Sequence, residues 1–120
     1  MKVFLDDVRF GDFHDLGERW YEWILVRTVE NCKTLLDTGL VTEISLDFDL
    51  SHTDGGHTGE DVLRYVIEKM ETEKFEPPYI MIHSRHTAAE RMQELVQEIK
   101  RNTTTLVDIK AMPPYPKKTD

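Results

Sequence analysis

The chain has 120 residues, of which 39% are hydrophobic and 32% charged, with a formal net charge of -8 and a pI of about 5.1. That length holds one core and does not divide, the composition is that of a globular domain, and the acidity excludes nucleic-acid binding by bulk electrostatics, because phosphate contacts need a basic surface. The lone Cys32 excludes an internal disulfide and a cysteine-based zinc site, and the chain has neither a signal-peptide pattern nor an apolar run of about 18 residues, so a cytoplasmic protein that stays off the membrane is expected.

In chain order, the compact apolar run of residues 2–6 predicts a buried strand that ends in charge at Asp6-Asp7. Residues 7–22 spread glycines and aspartates among aromatic residues and read as a loop with helical turns near 14–22. A β-rich run, Ile24 to Thr28, predicts the second strand. Thr28 then caps a helix to about Asp37, with Val29, Cys32, Leu35 and Leu36 at helical spacing and Gly39 just beyond its end. Glu43 to Asp47 is the third strand. The polar stretch 50–58, with His52 and His57, reads as a lid or flexible rim. Thr58 caps the next helix, which carries Val62, Leu63, Val66, Ile67 and Met70. Pro77-Pro78 feeds a fourth strand, Tyr79 to Ile82. A helix over about 87–101 carries Met92, Leu95, Val96 and Ile99, and Thr104 to Ile109 predicts a fifth strand. One domain over 1–112 and an irregular tail over 113–120 are expected.

Strands alternating with helices imply parallel βαβ units. A flavodoxin-like order, 2-1-3-4-5, sets strands one and three side by side, and ligands in such sheets bind outside the carboxyl ends of the strands. Three strands here break off into chemistry at that edge: Asp6-Asp7 after the first, Asp47-Phe48-Asp49 at the end of the third, and His83-Ser84-Arg85-His86 after the fourth. Close carboxylates repel unless a cation lies between them, and oxygen-rich sites suit Mg²⁺ or Mn²⁺. Asp6, Asp7 and Asp47 are the expected metal ligands. If 46–49 stay extended, Asp47 and Asp49 share a side, so that one attacks or ligates while the other moves a proton; the alternative is that Asp49 caps the following loop. His83 is a candidate general acid or base, and Arg9, Ser84, Arg85 and His86 are candidate phosphate-binding residues. Trp20, Tyr21 and Trp23 are expected to pack rather than to stack on a base. Lys110 follows the expected fifth strand as a surface lysine.

Taken in order, Leu5-Asp6-Asp7-x-Arg9, Arg27-Thr28-Val29-Glu30, Ser45-Leu46-Asp47-x-Asp49-Leu50, Thr58-Gly59-x-Asp61-Val62-Leu63, Pro77-Pro78, His83-Ser84 and Arg91-Met92 resemble the cyclic-phosphate-processing receiver domains over residues 2–93. The chain departs from the family pattern at Phe48, where His is usual, at His86, where Asn is usual, and at Ser51, where Gly is common. The resemblance implies a receiver-like three-layer α/β sandwich with a parallel sheet of four or five strands. It also implies a Mg²⁺- or Mn²⁺-dependent phosphoesterase whose substrate is a cyclic phosphate on a nucleotide or RNA end. Its more distant likeness to response-regulator receivers implies metal binding at Asp6 and Asp7, a phosphoacceptor role at Asp47 and a hydroxyl contact from Ser84. The rival readings are a phosphate- or nucleotide-binding module without turnover and a phosphoacceptor receiver.

Overall fold

The computed structural model describes residues 1–7, 20–51, 53–83, 89–102 and 110–111. Five strands, β1 (Lys2–Leu5), β2 (Trp23–Val26), β3 (Glu43–Leu46), β4 (Tyr79–Ile82) and β5 (Lys110–Ala111), form one sheet in the order β2-β1-β3-β4-β5. Every pairing is parallel, so the chain must cross over between strands. It does so through α1 (Val29–Leu36), α2 (Gly59–Thr72) and α3 (Ala89–Arg101). This is the expected flavodoxin-like order.

Side chains alternate across a strand, and the sequence uses that alternation to build two different faces. Val3, Leu5, Ile44, Leu46, Ile80 and Ile82 point one way and join Val29, Cys32, Leu36, Val62, Leu63, Val66, Met92, Val96 and Ile99 from the helices in one core. Burial raises the Cys32 thiol to about 12, which makes it a packing residue rather than a nucleophile. The opposite face carries Phe4, Ser45 and Met81 at one register level. Phe4 and Ser45 are fully buried there.

Local chemistry fixes the helix starts. Thr28 accepts from the Asn31 N–H, while at α2 Thr58 accepts from the Glu60 N–H and Asp61 accepts in return from the Thr58 N–H. Lys69 donates to Asp37 at 3.0 Å and Tyr65 also donates to Asp37, which ties α2 to the end of α1.

Several boundaries differ from the sequence reading. β2 starts at Trp23 and stops at Val26, because Thr28 serves the helix as its cap. Trp20 to Glu22 form a single 3₁₀ turn, and Tyr21 is 67% exposed instead of packed. Trp23 meets Phe4 edge-on at 6.3 Å. The expected strand over Thr104–Ile109 and the tail over 113–120 lie outside the described residues, as do 8–19. Lys110 belongs to β5 itself and pairs with Met81, two positions short of the level of His83.

The stretch after β3 is not a loose lid. Leu50 is fully buried, Asp54 accepts from the Val29 N–H at 2.7 Å, and Thr53 donates to the Arg27 carbonyl. The carboxylate of Asp54 therefore satisfies an otherwise unpaired N–H at the positive end of α1. This latch fastens the β3–α2 connection to the β2–α1 junction.

Candidate functional site

The strand register builds the site. Leu5, Leu46 and Ile82 are aligned across β1, β3 and β4, so the next residues, Asp6, Asp47 and His83, fall in one row at the carboxyl edge. Backbone bonds continue the ladder past the strands: Asp6 N–H to Val26 O at 3.1 Å, Asp47 N–H to Leu5 O at 3.0 Å and His83 N–H to Leu46 O at 2.9 Å. One ligand atom from each of Asp6, Asp47 and His83 can be chosen such that all three lie within 4.8 Å of one another. Two carboxylates and an imidazole brought this close, from positions 41 and 36 residues apart along the chain, form a donor set of the kind that holds a divalent cation.

The row rests on the face opposite the helical core. His83 lies flat on Phe4, with ring centroids 4.2 Å apart and 8° between planes. Its Nδ1 is 2.7 Å from Ser45 Oγ and its Nε2 is 3.0 Å from Asp6 Oδ2. Phe4 and Ser45 come from two positions before Asp6 and Asp47, on the same side of the sheet, so the alternation that orients the acids also supplies the floor beneath them. A histidine gripped at its second nitrogen by a hydroxyl, with its plane set by an aromatic ring, has the support typical of a metal-site imidazole.

Charge at the row is in excess. The Asp47 carboxyl is pushed up from 3.8 to about 8, first by burial and then by the charges of Asp6 and Asp7, while the Phe48 N–H opposes the shift and Asp49 adds to it. That N–H donates to Asp47 Oδ1 at 2.8 Å. A cation in the row would relieve the same repulsion. The donors therefore fit Mg²⁺ or Mn²⁺, with Asp6 and Asp47 supplying hard oxygens and His83 a third position. Asp7 is buried beside them and acts on Asp47 through its charge.

Asp49 does what a turn-forming aspartate does: its Oδ1 accepts from the Ser51 N–H at 2.9 Å, and its backbone bridges to Thr58. The strand has ended at Leu46, so the extended geometry that would align Asp47 with Asp49 does not run the full distance. His57 is 3.4 Å from Asp61 on the exposed start of α2. Gly59 closes the rear of the site. A Cβ there would lie 1.9 Å from the Asp47 carbonyl oxygen, so only glycine lets the helix start press against the end of β3. Arg9, His52, Ser84, Arg85 and His86 lie outside the described residues.

Sequence reasoning missed Ser45 and Phe4 as supports. The available signal was Ser45, a hydroxyl inside the apolar run Ile44-Ser45-Leu46 and two residues before Asp47.

Among the described residues no helix is long and apolar enough to cross a membrane. No curated protein and no solved structure matches the chain. A family model described as "Cyclic-phosphate processing Receiver domain" matches residues 1–98. That match takes in β1 through most of α3, including every residue of the Asp6, Asp47 and His83 row, and the chain belongs to the cyclic-phosphate processing receiver domain family.

Proposed function

We propose that the protein is a divalent-metal-dependent phosphoesterase that opens a cyclic phosphate on a nucleotide or RNA end. The observation that carries this reading is the row of Asp6, Asp47 and His83, whose ligand atoms converge within 4.8 Å at the edge where open α/β sheets bind ligands. Mg²⁺ or Mn²⁺ held there supplies Lewis-acid stabilisation of charge on a phosphoryl oxygen.

Asp6 and Asp47 would hold the cation through their carboxylates, and Asp7 adds negative charge beside them. Both ring nitrogens of His83 are engaged, by Ser45 and Asp6, which favours holding and orienting over shuttling a proton. Proton transfer is assigned to Asp49 on its chemistry and its place two residues past Asp47 in the sequence, although its Oδ1 also serves the turn to Ser51: it takes the proton of the attacking water as the new P–O bond forms. The cyclic P–O bond breaks, and a proton passes to the departing ribose oxygen. Ser84, Arg85, His86 and Arg9 are assigned to the phosphate oxygens, by the chemistry of a hydroxyl, guanidiniums and an imidazole that follow Asp7 and His83 closely in the sequence. The substrate is small or an RNA end, because a chain of net charge -8 repels an extended polyanion.

The test is hydrolysis of 2′,3′-cyclic nucleotides and of an RNA ending in a cyclic phosphate, with Mn²⁺ or with chelator. Turnover that requires the metal is expected, with a loss of at least about a hundredfold in Asp47→Ala, the scale of removing an electrostatic contact in an active site. Metal-independent turnover, or full activity in the variant, overturns the reading. Ligand retained unchanged through purification, with no turnover, makes the domain a binding module.

A further inference from the structure

We infer that Arg64 and Arg91, held together on the buried carboxylate of Glu60, form a second phosphate subsite at the carboxyl edge of the sheet that also carries the metal row. The preferred substrate is therefore a cyclic phosphate whose nucleoside bears a further phosphate, as a 5′-phosphate or as the next phosphodiester of an RNA end. This inference rests on the phosphoesterase reading for what happens at the row and on separate residues for what happens beside it.

The position follows from the fold. Glu60 is one residue past Gly59, whose N–H donates to Phe48 O at 3.0 Å and at which a Cβ would lie 1.9 Å from the Asp47 carbonyl oxygen. Arg91 is in the first turn of α3, which begins six residues after His83. In a parallel sheet with helical crossovers, both helix starts lie at the carboxyl edge, where Asp47 and His83 end their strands. The subsite is on that edge, on the side of the helices.

Its chemistry is the stronger argument. Glu60 Oε2 accepts from Arg64 Nε at 2.9 Å and from Arg91 Nη2 at 2.9 Å, and Arg64 Nη2 is 2.8 Å away. The Glu60 side chain is 9% exposed, whereas those of Arg64 and Arg91 are 59% and 64% exposed. Among the described residues neither guanidinium has another ion-pair partner. One carboxylate thus holds two cations, which leaves a net positive charge and most of the ten N–H donors of two guanidiniums facing solvent.

Stability alone does not account for this arrangement. One arginine, Arg91, neutralises Glu60 and ties α2 to α3; a second, exposed as it is, adds little to stability. Burying a carboxylate to hold that pair gains nothing that an apolar residue would not give. What the arrangement does supply is orientation. Long arginine side chains are held at the rim with their forks outward, the geometry that grips phosphate oxygens bidentately. In a chain of net charge -8, a local positive pair at the edge that carries the acidic row also draws a second phosphate to that edge.

The experiment compares kcat and KM for adenosine 2′,3′-cyclic phosphate, the same compound with a 5′-phosphate, and a diadenylate ending in a cyclic phosphate. Wild type, Arg64→Ala, Arg91→Ala and Arg91→Lys are used with Mn²⁺. Equilibrium binding of a 5′-fluorescein triadenylate ending in a cyclic phosphate is measured in chelator. The expected result is a KM at least about tenfold lower for the phosphate-bearing substrates, the scale of a charge-assisted contact. That advantage should collapse in both alanine variants and partly return in Arg91→Lys, which keeps the charge but not the fork. Preference for the 5′-phosphate as well as the diadenylate identifies a phosphomonoester as sufficient; preference for the diadenylate alone identifies the phosphodiester. Turnover with no such preference, or with a preference the alanine variants keep, overturns the inference and leaves the phosphoesterase reading standing. Triadenylate binding weakened by the alanine variants, without turnover of any substrate, upholds the subsite and overturns the phosphoesterase. Neither turnover nor binding overturns both.

Discussion

Asp47→Asn should stabilise the cation-free protein, and increasingly so as pH rises. The substitution keeps an oxygen for the Phe48 N–H, which now bonds to Asp47 Oδ1 at 2.8 Å, and removes only the charge. In the folded protein the Asp47 carboxyl is raised from 3.8 to about 8 by burial and by Asp6, Asp7 and Asp49. The folded state therefore holds a proton that the unfolded chain releases near pH 4. That proton's contribution to stability is complete below the unfolded value and is lost as pH rises through about 8. At about 1.4 kcal/mol per unit, a shift of this size sets a ceiling of about 6 kcal/mol on the cost of the charge. The site is part-exposed and its repulsion is shared with neighbours that relax, so about 2 to 3 kcal/mol is expected, roughly 10 °C in Tm. The assay is thermal unfolding of both proteins in chelator from pH 5 to 9, repeated with Mn²⁺. The variant's advantage should be small at pH 5 and largest at pH 9, and Mn²⁺ should raise the wild type more than the variant. A variant less stable than wild type at pH 9 in chelator, or a difference that ignores pH, would refute the electrostatic account of the row.

Gly59→Ala should be disruptive at a position with no catalytic group, because the new methyl meets the Asp47 carbonyl oxygen at 1.9 Å and backbone cannot swing aside. A loss of about 1 to 3 kcal/mol in urea unfolding and weaker Mn²⁺ binding are expected; wild-type values for both would show that the contact is looser than described. Ser45→Ala leaves the His83 Nδ1 without its hydroxyl partner. Mn²⁺ affinity by titration calorimetry should fall about 10- to 100-fold, and unchanged affinity would remove Ser45 from the support of the site.

How much of this was readable from residues alone follows from what depends on local pattern. β1, β3 and β4 are short apolar runs ended by charge or by His83, and their parallel order follows from the intervening helices, so the meeting of Asp6, Asp47 and His83 at one edge was legible. Ser45 and Phe4 were not read as supports because their role depends on register: Phe4 is aligned with Ser45 across β1 and β3, and that alignment sets Phe4 under the His83 ring and Ser45 at its Nδ1. The latch at Asp54 was misread for a related reason. Glycines and polar residues in 50–58 read as a lid or flexible rim along the chain, yet Asp54 within them bonds the N-terminus of a helix 25 residues earlier. The Glu60 pair escaped notice because Arg91 is 31 residues from its carboxylate.

The alignment of three strands behind one row also bears on how the protein acquires its site in time. Asp6 and His83 are 77 residues apart in sequence, and the row of three is assembled only when β1, β3 and β4 have all docked. Closing such long loops is the slow part of forming a parallel sheet. The row therefore cannot template the early steps of folding, because it exists only once β1, β3 and β4 are in register.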